Sequence, residues 1–483
     1  MNDISKKVLS SSILVLLTRF LQKSLGFIST LVLARMLTPE DFGVVAFLAL
    51  TTNFFYVLAV TGNYQYLISK PILEDDDLNT ALTIDLMIKS VFWISLCLLA
   101  PTICSYFGKE SVLNALYVSS VVIIIRALKN PGFVLYTKDL NYKYFFKLEL
   151  SAKILSFCVV IIWVLVDKSF WALVAGDVVS ALVLAIGSYY LHPYRPKISF
   201  KKFGEQWNFS KWMFLKGSVG YAKANLDQLF AAKLYSTSQL GNYYMAKDIS
   251  LLPAYSLINP ACDPLLPTFS KSINNGKEFS YRISFSLVLV NIIAFPVAIY
   301  LGLFSPYLVS ILLGEQWLHI DSLVSTFALL MYLSCFGPIL SHACIAKQKV
   351  KTIFVIDLLS LLLLSGALYI VDVQVVTELA LAKGLVHTII ITVYFFYVKT
   401  FASLSLRRLV IISLPTLISG SLAASSVYIM PEWGGTISIM YWLFHSLVFT
   451  FVYLSFFLSI TYIFRQEAEY QHFFRLIKQV LNK

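Results

Sequence analysis

The chain has 483 residues, 58% of them hydrophobic and 13% charged, with a mean hydropathy of +0.76. Soluble globular chains carry about 25% charged residues, so this composition excludes that class and indicates a polytopic membrane protein. The net charge of +12 is spread over short connections rather than clustered, so no nucleic-acid partner is expected.

Fourteen apolar stretches, each near the roughly 20 residues needed to cross a bilayer, follow one another in chain order. The first six cover 8–36, 43–68, 80–99, 112–136, 146–166 and 170–191. Residues 1–36 are too long for a signal peptide and have no clear small-residue cleavage site, so they read as span one. A basic connection, 192–211, follows with Pro193, Arg195, Pro196, Lys197, Lys201 and Lys202, and reads as a hydrated linker. Spans seven to twelve cover 212–235, 241–266, 283–304, 323–345, 353–371 and 379–398, and two more cover 409–430 and 438–464. Prolines 253, 260, 264 and 267 predict a bent eighth span, where Asn259 can answer a freed carbonyl. In the tail, 465–483, Phe473, Phe474, Ile477, Val480 and Leu481 recur at helical spacing around Arg475 and Lys478. That pattern predicts an amphipathic helix lying along the inner membrane surface.

Lysine and arginine fall on alternate connections, 24 on one side against Arg35, Lys109 and Lys168 on the other. Basic loops stay in the cytoplasm, so both termini are expected inside. The expected architecture is all-α: a six-helix lobe (1–191), a cytoplasmic linker (192–211), a second six-helix lobe (212–398), helices thirteen and fourteen (399–464) and the tail. An internal repeat agrees with the two lobes. Leu33-Ala34-Arg35-Met36-Leu37-Thr38 with Phe42-Gly43 aligns, 198 residues on, with Ala231-Ala232-Lys233-Leu234-Tyr235-Ser236 and Leu240-Gly241. Repeats of this kind build transporters with a site between two lobes. The six cysteines form no CxxC pair and have no histidine at ligand spacing, so no metal or cofactor is expected.

At Leu37-Thr38-Pro39-Glu40-Asp41-Phe42-Gly43 after Ala34-Arg35, the chain resembles the polysaccharide transporter family of the multidrug/oligosaccharidyl-lipid/polysaccharide flippase superfamily. Further segments resemble it in family order: Leu135 to Leu140 with Lys143; Asn225-Leu226-Asp227-Gln228 with Lys233; Leu240-Gly241-Asn242-Tyr243 with Ala246; Pro267, Ser270 and Lys271; and Leu313-Gly314 with Trp317. The chain departs from the family at Ala232 and Ser236, where relatives often carry glycine. The resemblance implies an O-antigen-type flippase of the bacterial inner membrane, with two helical lobes around an alternately opening cavity. It further implies an undecaprenyl-diphosphate-linked oligosaccharide as cargo, membrane lipids as surroundings, and the polysaccharide polymerase and chain-length machinery as partners.

Independently of family, eleven basic residues lie inside apolar stretches: Arg19, Lys23, Lys89, Arg126, Lys129, Lys153, Lys216, Lys223, Lys233, Lys247 and Lys383. A base at the bilayer centre costs roughly 2.5–3.5 kcal/mol, so each needs water or a partner. Their common sign points to an anionic cargo. Arg19 and Lys23 share one face with Ser12, Gly26 and Thr30, and no acid of their own span neutralises them. Guanidinium and ammonium both suit a diphosphate; the alternative is a bridge to Asp177 or Asp357. Lys216, Lys223 and Asp227 share a face of span seven, with Lys223 and Asp227 at pairing distance along the helix. Arg126 and Lys129 either serve the cargo or snorkel to headgroups. The expected cargo residues are therefore Arg19, Lys23, Arg126, Lys129, Lys216, Lys223 and Lys247, and the candidate ion-coupling acids are Asp177, Asp227 and Asp357. Asp85 with Lys89 and Glu149 with Lys153 read as structural pairs. The competing assignment is a drug antiporter on the same fold, which an excess of buried acids would favour. A membrane enzyme would need an outer loop of catalytic residues, and 305–322 offers only Glu315, His319 and Asp321.

Overall fold

The computed structural model describes residues 3–70, 72–139, 141–370, 375–429 and 439–481, with the backbone alone at 3–13, 16, 69, 209–216, 476–477 and 479–481. Among the described residues there is no strand. The long helices are α1 (Asp3–Met36), α2 (Pro39–Leu58), α3 (Asp75–Phe107), α4 (Leu113–Ala127), α5 (Tyr142–Val166), α6 (Trp171–Leu191), α7 (Phe203–Leu234) and α8 (Thr237–Pro253). They continue as α9 (Gly276–Leu312), α10 (Asp321–Ser334), α11 (Val350–Ile370), α12 (Val376–Ala402), α13 (Leu406–Ile429), α14 (Ile439–Ile463) and α15 (Ala468–Leu481). Eleven helices among the described residues are long and apolar enough to cross a membrane. The expected spans outside that set are α1, α7 and α8, and these carry Arg19, Lys23, Lys216, Lys223, Lys233 and Lys247.

Four expected spans are broken rather than continuous. Span two stops at Leu58, turns through Gly62 at a left-handed φ of 68°, and resumes as Asn63–Ser69. Span four stops at Ala127 and resumes as Phe133–Lys138, because Pro131 cannot continue the helix. Asn130 stitches that gap: its amide N–H donates to Ser188 Oγ at 2.9 Å, its side chain donates to the Tyr194 carbonyl at 2.8 Å, and its Oδ1 accepts from Gly132 N at 2.9 Å. Span eight follows the proline expectation, with a π-turn (Ala254–Ile258) directly after Pro253. Span ten pauses between Ser334 and Gly337 and then continues as Gly337–Ala346. The region taken as an outer loop, 305–322, is mostly helical. Its first residues close α9 and Glu315–Ile320 forms a 3₁₀ turn leading into α10.

The connection after α6 also differs from the expected free linker. It is shorter, since α7 begins at Phe203, and it is strapped to the start of α3. Lys197, Lys202 and Ser199 donate their backbone N–H groups to Asn79 Oδ1 (2.7 Å), Thr80 Oγ1 (3.3 Å) and Thr83 Oγ1 (3.0 Å), while Lys201 and Lys202 pair with Asp76 (3.0 Å) and Glu74 (3.2 Å). An extended segment leaves its backbone donors open, and the hydroxyls and amide of α3 answer them.

By packing, the chain divides into Met1–Tyr244 and Met245–Lys483. The boundary falls beyond the 192–211 connection because α7 packs along α2 and meets α3. In the first unit α5 lies against α1 and α6, and α4 against α3 and α6. In the second, α13 packs on α9 and α14, and α12 on α10 and α11. A cluster of Val288, Phe304, Ile412, Phe449, Tyr453, Phe457 and Tyr470 fills it. Helix α15 joins this core: Tyr470 donates to the Ile412 carbonyl at 2.6 Å, and the buried Glu469 meets Arg408 at 3.0 Å.

The repeated segment has a physical basis. Thr38 opens α2 with a capping box: its backbone N–H donates to Asp41 Oδ2 (3.0 Å) and its Oγ1 accepts from Asp41 N (3.3 Å), with Pro39 at the first helical position. At the aligned positions Ser236 and Gln239 form the same reciprocal pair before α8, at 3.1 and 3.2 Å. The two helix starts then cross. A Cβ on Gly43 would overlap the Thr237 carbonyl oxygen, and one on Gly241 would overlap the Pro39 carbonyl oxygen and lie 2.7 Å from Gly43 N. Pro39 aligns with Thr237 and Gly43 with Gly241, so each copy presents its glycine to the other copy's first carbonyl. This is the reciprocity of a two-fold contact.

Gly43→Ala and Gly241→Ala should each destabilise the purified protein by about 1–3 kcal/mol through forced separation of the two helix starts. The readout is the midpoint of thermal unfolding in detergent. The double replacement should cost less than the two separately, because both press on one crossing. Wild-type midpoints in both single variants would show that the crossing relaxes freely.

Candidate functional site

Five of the first unit's intramembrane bases and two of its acids are carried by α1, α4 with the break that follows it, α5 and α6. On α1, Arg19, Gln22, Lys23 and Gly26 fall within two turns, so they line one face. Arg19 and Lys23 are both exposed on that face. The Gln22 amide donates to Glu149 Oε2 on α5 at 3.2 Å, and the same carboxylate faces Lys129 Nζ at 3.6 Å. Lys153, one turn further along α5, reaches back toward α1, where Gly26 leaves space: its Nζ lies 3.6 Å from the point a Cβ on Gly26 would occupy. Glu149 and Lys153 therefore do not form the within-helix pair expected from their spacing. Each is drawn to another helix because α5 is packed between α1 and α6.

Asp177 on α6 has Arg126 and Lys153 within electrostatic reach. Helices α5 and α6 meet closely beside it, since a Cβ on Gly176 would stand 3.2 Å from Ser156 Oγ. The Arg126 guanidinium also lies 5.0 Å over the Tyr56 ring, and Lys129 Nζ lies 5.6 Å from the Phe133 ring centre. Aromatic faces offset part of the cost of holding a cation away from water. The result is one polar layer through α1, α4, α5 and α6, containing Arg19, Lys23, Arg126, Lys129 and Lys153 with Glu149 and Asp177 among them.

The remaining candidates are carried by other helices. Lys223 is half-buried on α7, and four residues on, Asp227 is fully enclosed and accepts from Tyr243 Oη at 2.7 Å. The side chain of Lys216 lies outside the described residues. Lys247 on α8 is half-buried, as are Asp357 on α11 and Lys383 on α12. Lys233, in the last turn of α7, donates to the Tyr106 carbonyl in the last turn of α3, with its ammonium 3.9 Å from the Tyr106 ring centre. Lys89 forms its expected pair with Asp85 at 3.0 Å, and Asn63 adds a bond to the same carboxylate at 2.8 Å beside the break in span two. Among the described residues no group of three or more acidic, histidine or cysteine side chains could hold a metal ion.

Sequence reasoning passed over Gln22, and it named Tyr243 only in the family resemblance, not as a partner of Asp227. Gln22 carries a signal in hindsight, sitting between two bases on a polar face. Tyr243 carries none, since its pairing with Asp227 depends on how α7 and α8 meet.

The family described as polysaccharide biosynthesis protein matches residues 32–322, more than half of the chain. The lipopolysaccharide biosynthesis protein WzxC of Escherichia coli is 22% identical over 412 residues, covering 82% of this chain and 83% of that protein. The succinoglycan biosynthesis transport protein ExoT of Rhizobium meliloti is 21% identical over 300 residues, covering 61% and 60%. A membrane protein of the cps region of Klebsiella pneumoniae is 23% identical over 303 residues, covering 61% and 62%. The chain thus matches about three fifths of the length of these last two relatives. Among solved structures, the lipid II flippase MurJ in an inward closed conformation has a TM-score of 0.74 at 18% identity, covering 95% of this chain and 99% of that one. An inward-facing multidrug resistance transporter of the MATE family has a TM-score of 0.58 at 11% identity, covering 79% and 94%. At these identities the likeness is one of fold.

The enclosed Asp227–Tyr243 pair gives a direct test of packing beside the site. Tyr243→Phe should cost about 1–3 kcal/mol, because a buried carboxylate loses a donor that water cannot replace. In a double-mutant cycle with Asp227→Asn, the two changes should couple rather than add. Additive midpoints of thermal unfolding would show that the hydroxyl and carboxylate do not support one another.

Proposed function

The chain belongs to the polysaccharide biosynthesis protein family, and within it we infer that it is a polysaccharide flippase of the multidrug/oligosaccharidyl-lipid/polysaccharide superfamily. From that premise we propose that it moves a polyprenyl-diphosphate-linked oligosaccharide repeat unit from the cytoplasmic to the periplasmic leaflet. It is a multi-pass protein of the bacterial inner membrane. Fourteen spans with both termini in the cytoplasm, arranged as two six-helix lobes and a final helix pair, complete the proposal.

The observation that carries this reading is the base-rich layer in spans that otherwise repel charge. Bases at that depth are costly, their common sign suits an anion, and a diphosphate has the charge and the oxygens to engage several of them at once. Arg19, Lys23, Arg126, Lys129, Lys216, Lys223 and Lys247 are the groups assigned to it. Arginine offers a planar fork to two phosphate oxygens and lysine a compact charge that follows a moving ligand. The sugar then crosses through water along the polar faces while the polyprenyl tail stays in lipid. Access alternates between the two membrane sides. Asp177, Asp227 and Asp357 are the acids available to an ion gradient. The exported unit passes to the polysaccharide polymerase and chain-length machinery.

Topology is tested with reporter fusions. Those after Lys202, Lys351 and Lys483 should report cytoplasm, and those after Lys109, Glu315 and Trp433 periplasm; one reversal breaks the fourteen-span arrangement. Function is tested in cells lacking the gene. These should accumulate lipid-linked repeat units shielded from externally added sugar-modifying probes, and expression of the protein should expose them. Arg19→Ala with Lys23→Ala should abolish that rescue while the protein stays in the membrane, and Arg19→Lys should retain more of it than Arg19→Ala. Units already exposed without the protein would overturn the flippase reading. Unchanged polysaccharide with altered sensitivity to cationic compounds would favour the drug antiporter.

A further inference from the structure

Two acids sit inside the layer of bases, and neither is paired as a permanent structural bridge would be. Glu149 is 3.6 Å from Lys129, a loose contact, and the two side chains are 20% and 37% exposed. Its other bond is to the neutral Gln22 amide. Asp177 has Arg126 and Lys153, on two different helices, within electrostatic reach but makes no close ion pair with either. A 3.6 Å contact between partly exposed side chains holds neither group in a close, fully satisfied bridge, so a competing anion can take the base without stranding the acid in a closed pocket. A buried bidentate bridge would behave in the opposite way, because breaking it strands a charge.

A carrier that holds an anion on bare bases also has a release problem. Every base that improves capture on one side of the membrane slows departure on the other, unless something competes for the base when the cargo leaves. We propose that Glu149 and Asp177 are exchangeable counter-ions: they occupy Lys129, Arg126 and Lys153 in the empty protein, yield them to the cargo's phosphates on binding, and take them back on release. This rests on the assignment of those bases to the diphosphate made above. In this role the acids lower affinity for the cargo and promote turnover. Gln22 positions Glu149 by fixing one oxygen toward α1, which leaves the other to face Lys129.

The test uses the purified full chain in detergent and inorganic pyrophosphate as probe, with binding followed by calorimetry. Glu149→Gln and Asp177→Asn should each tighten pyrophosphate binding by about fivefold or more and should slow export of repeat units in cells. Lys129→Ala removes the same ion pair from the other side and should weaken binding. A purely structural bridge would make Glu149→Gln and Lys129→Ala alike, so opposite signs support exchange. Thermal unfolding midpoints near wild type establish that the variants are folded. A variant too unstable to purify would itself indicate a structural bridge and count against exchange. Pyrophosphate binding by the wild type that both acid variants leave unchanged or weaken overturns the counter-ion role alone. No binding by wild type or variants overturns the diphosphate assignment and the counter-ion role with it.

Discussion

A charge or an open backbone group placed in hydrocarbon cannot turn to water, so it must be answered from within the protein. Much of this structure follows from that requirement. Where proline or a left-handed glycine interrupts a span, neighbouring side chains take up the freed groups. Asn130 does so at the gap in span four, and Thr61 and Asn63 lie with Asp85 and Lys89 at the gap in span two. Where a span carries bases, acids or aromatic rings of other helices stand beside them.

That requirement explains what could be read from sequence and what could not. Apolar length and the proline cluster of span eight are local properties, and the long helices overlap the expected stretches, although α2 starts at Pro39, ahead of the expected Gly43, and spans two, four and ten break where continuous helices were expected. The repeat was visible as aligned residue types, though its capping boxes became clear only when Ser236 and Gln239 were seen bonded. Contacts between helices were not readable. Glu149 and Lys153 have the spacing of an ion pair on one helix, but α5 is wedged between two partners and each side chain finds a different one. The strap after α6 was missed for a similar reason, since its acceptors are Asn79, Thr80 and Thr83, more than a hundred residues earlier.

The sign of the buried charge bears on function more directly than the fold does. Carriers of lipid-linked sugars and of drugs share this architecture among the solved structures it resembles, so helix order alone does not choose between them. A layer holding five bases against two acids suits the anionic cargo proposed above, and in that proposal its acids temper the attraction, much as a buffer tempers a titration.

The crossing of Gly43 with Thr237 and of Gly241 with Pro39 has a historical consequence. A contact in which each copy of a repeat gives and receives the same thing is what two identical subunits make across their axis. In such a dimer one gene would specify both glycines, and any change would strike the contact twice. Within one polypeptide the two positions are inherited separately, so each is free to drift at half that penalty. Both are glycine here, and each meets the other copy's first carbonyl where a Cβ would overlap it, so neither position can take a side chain on the strength of the other staying small.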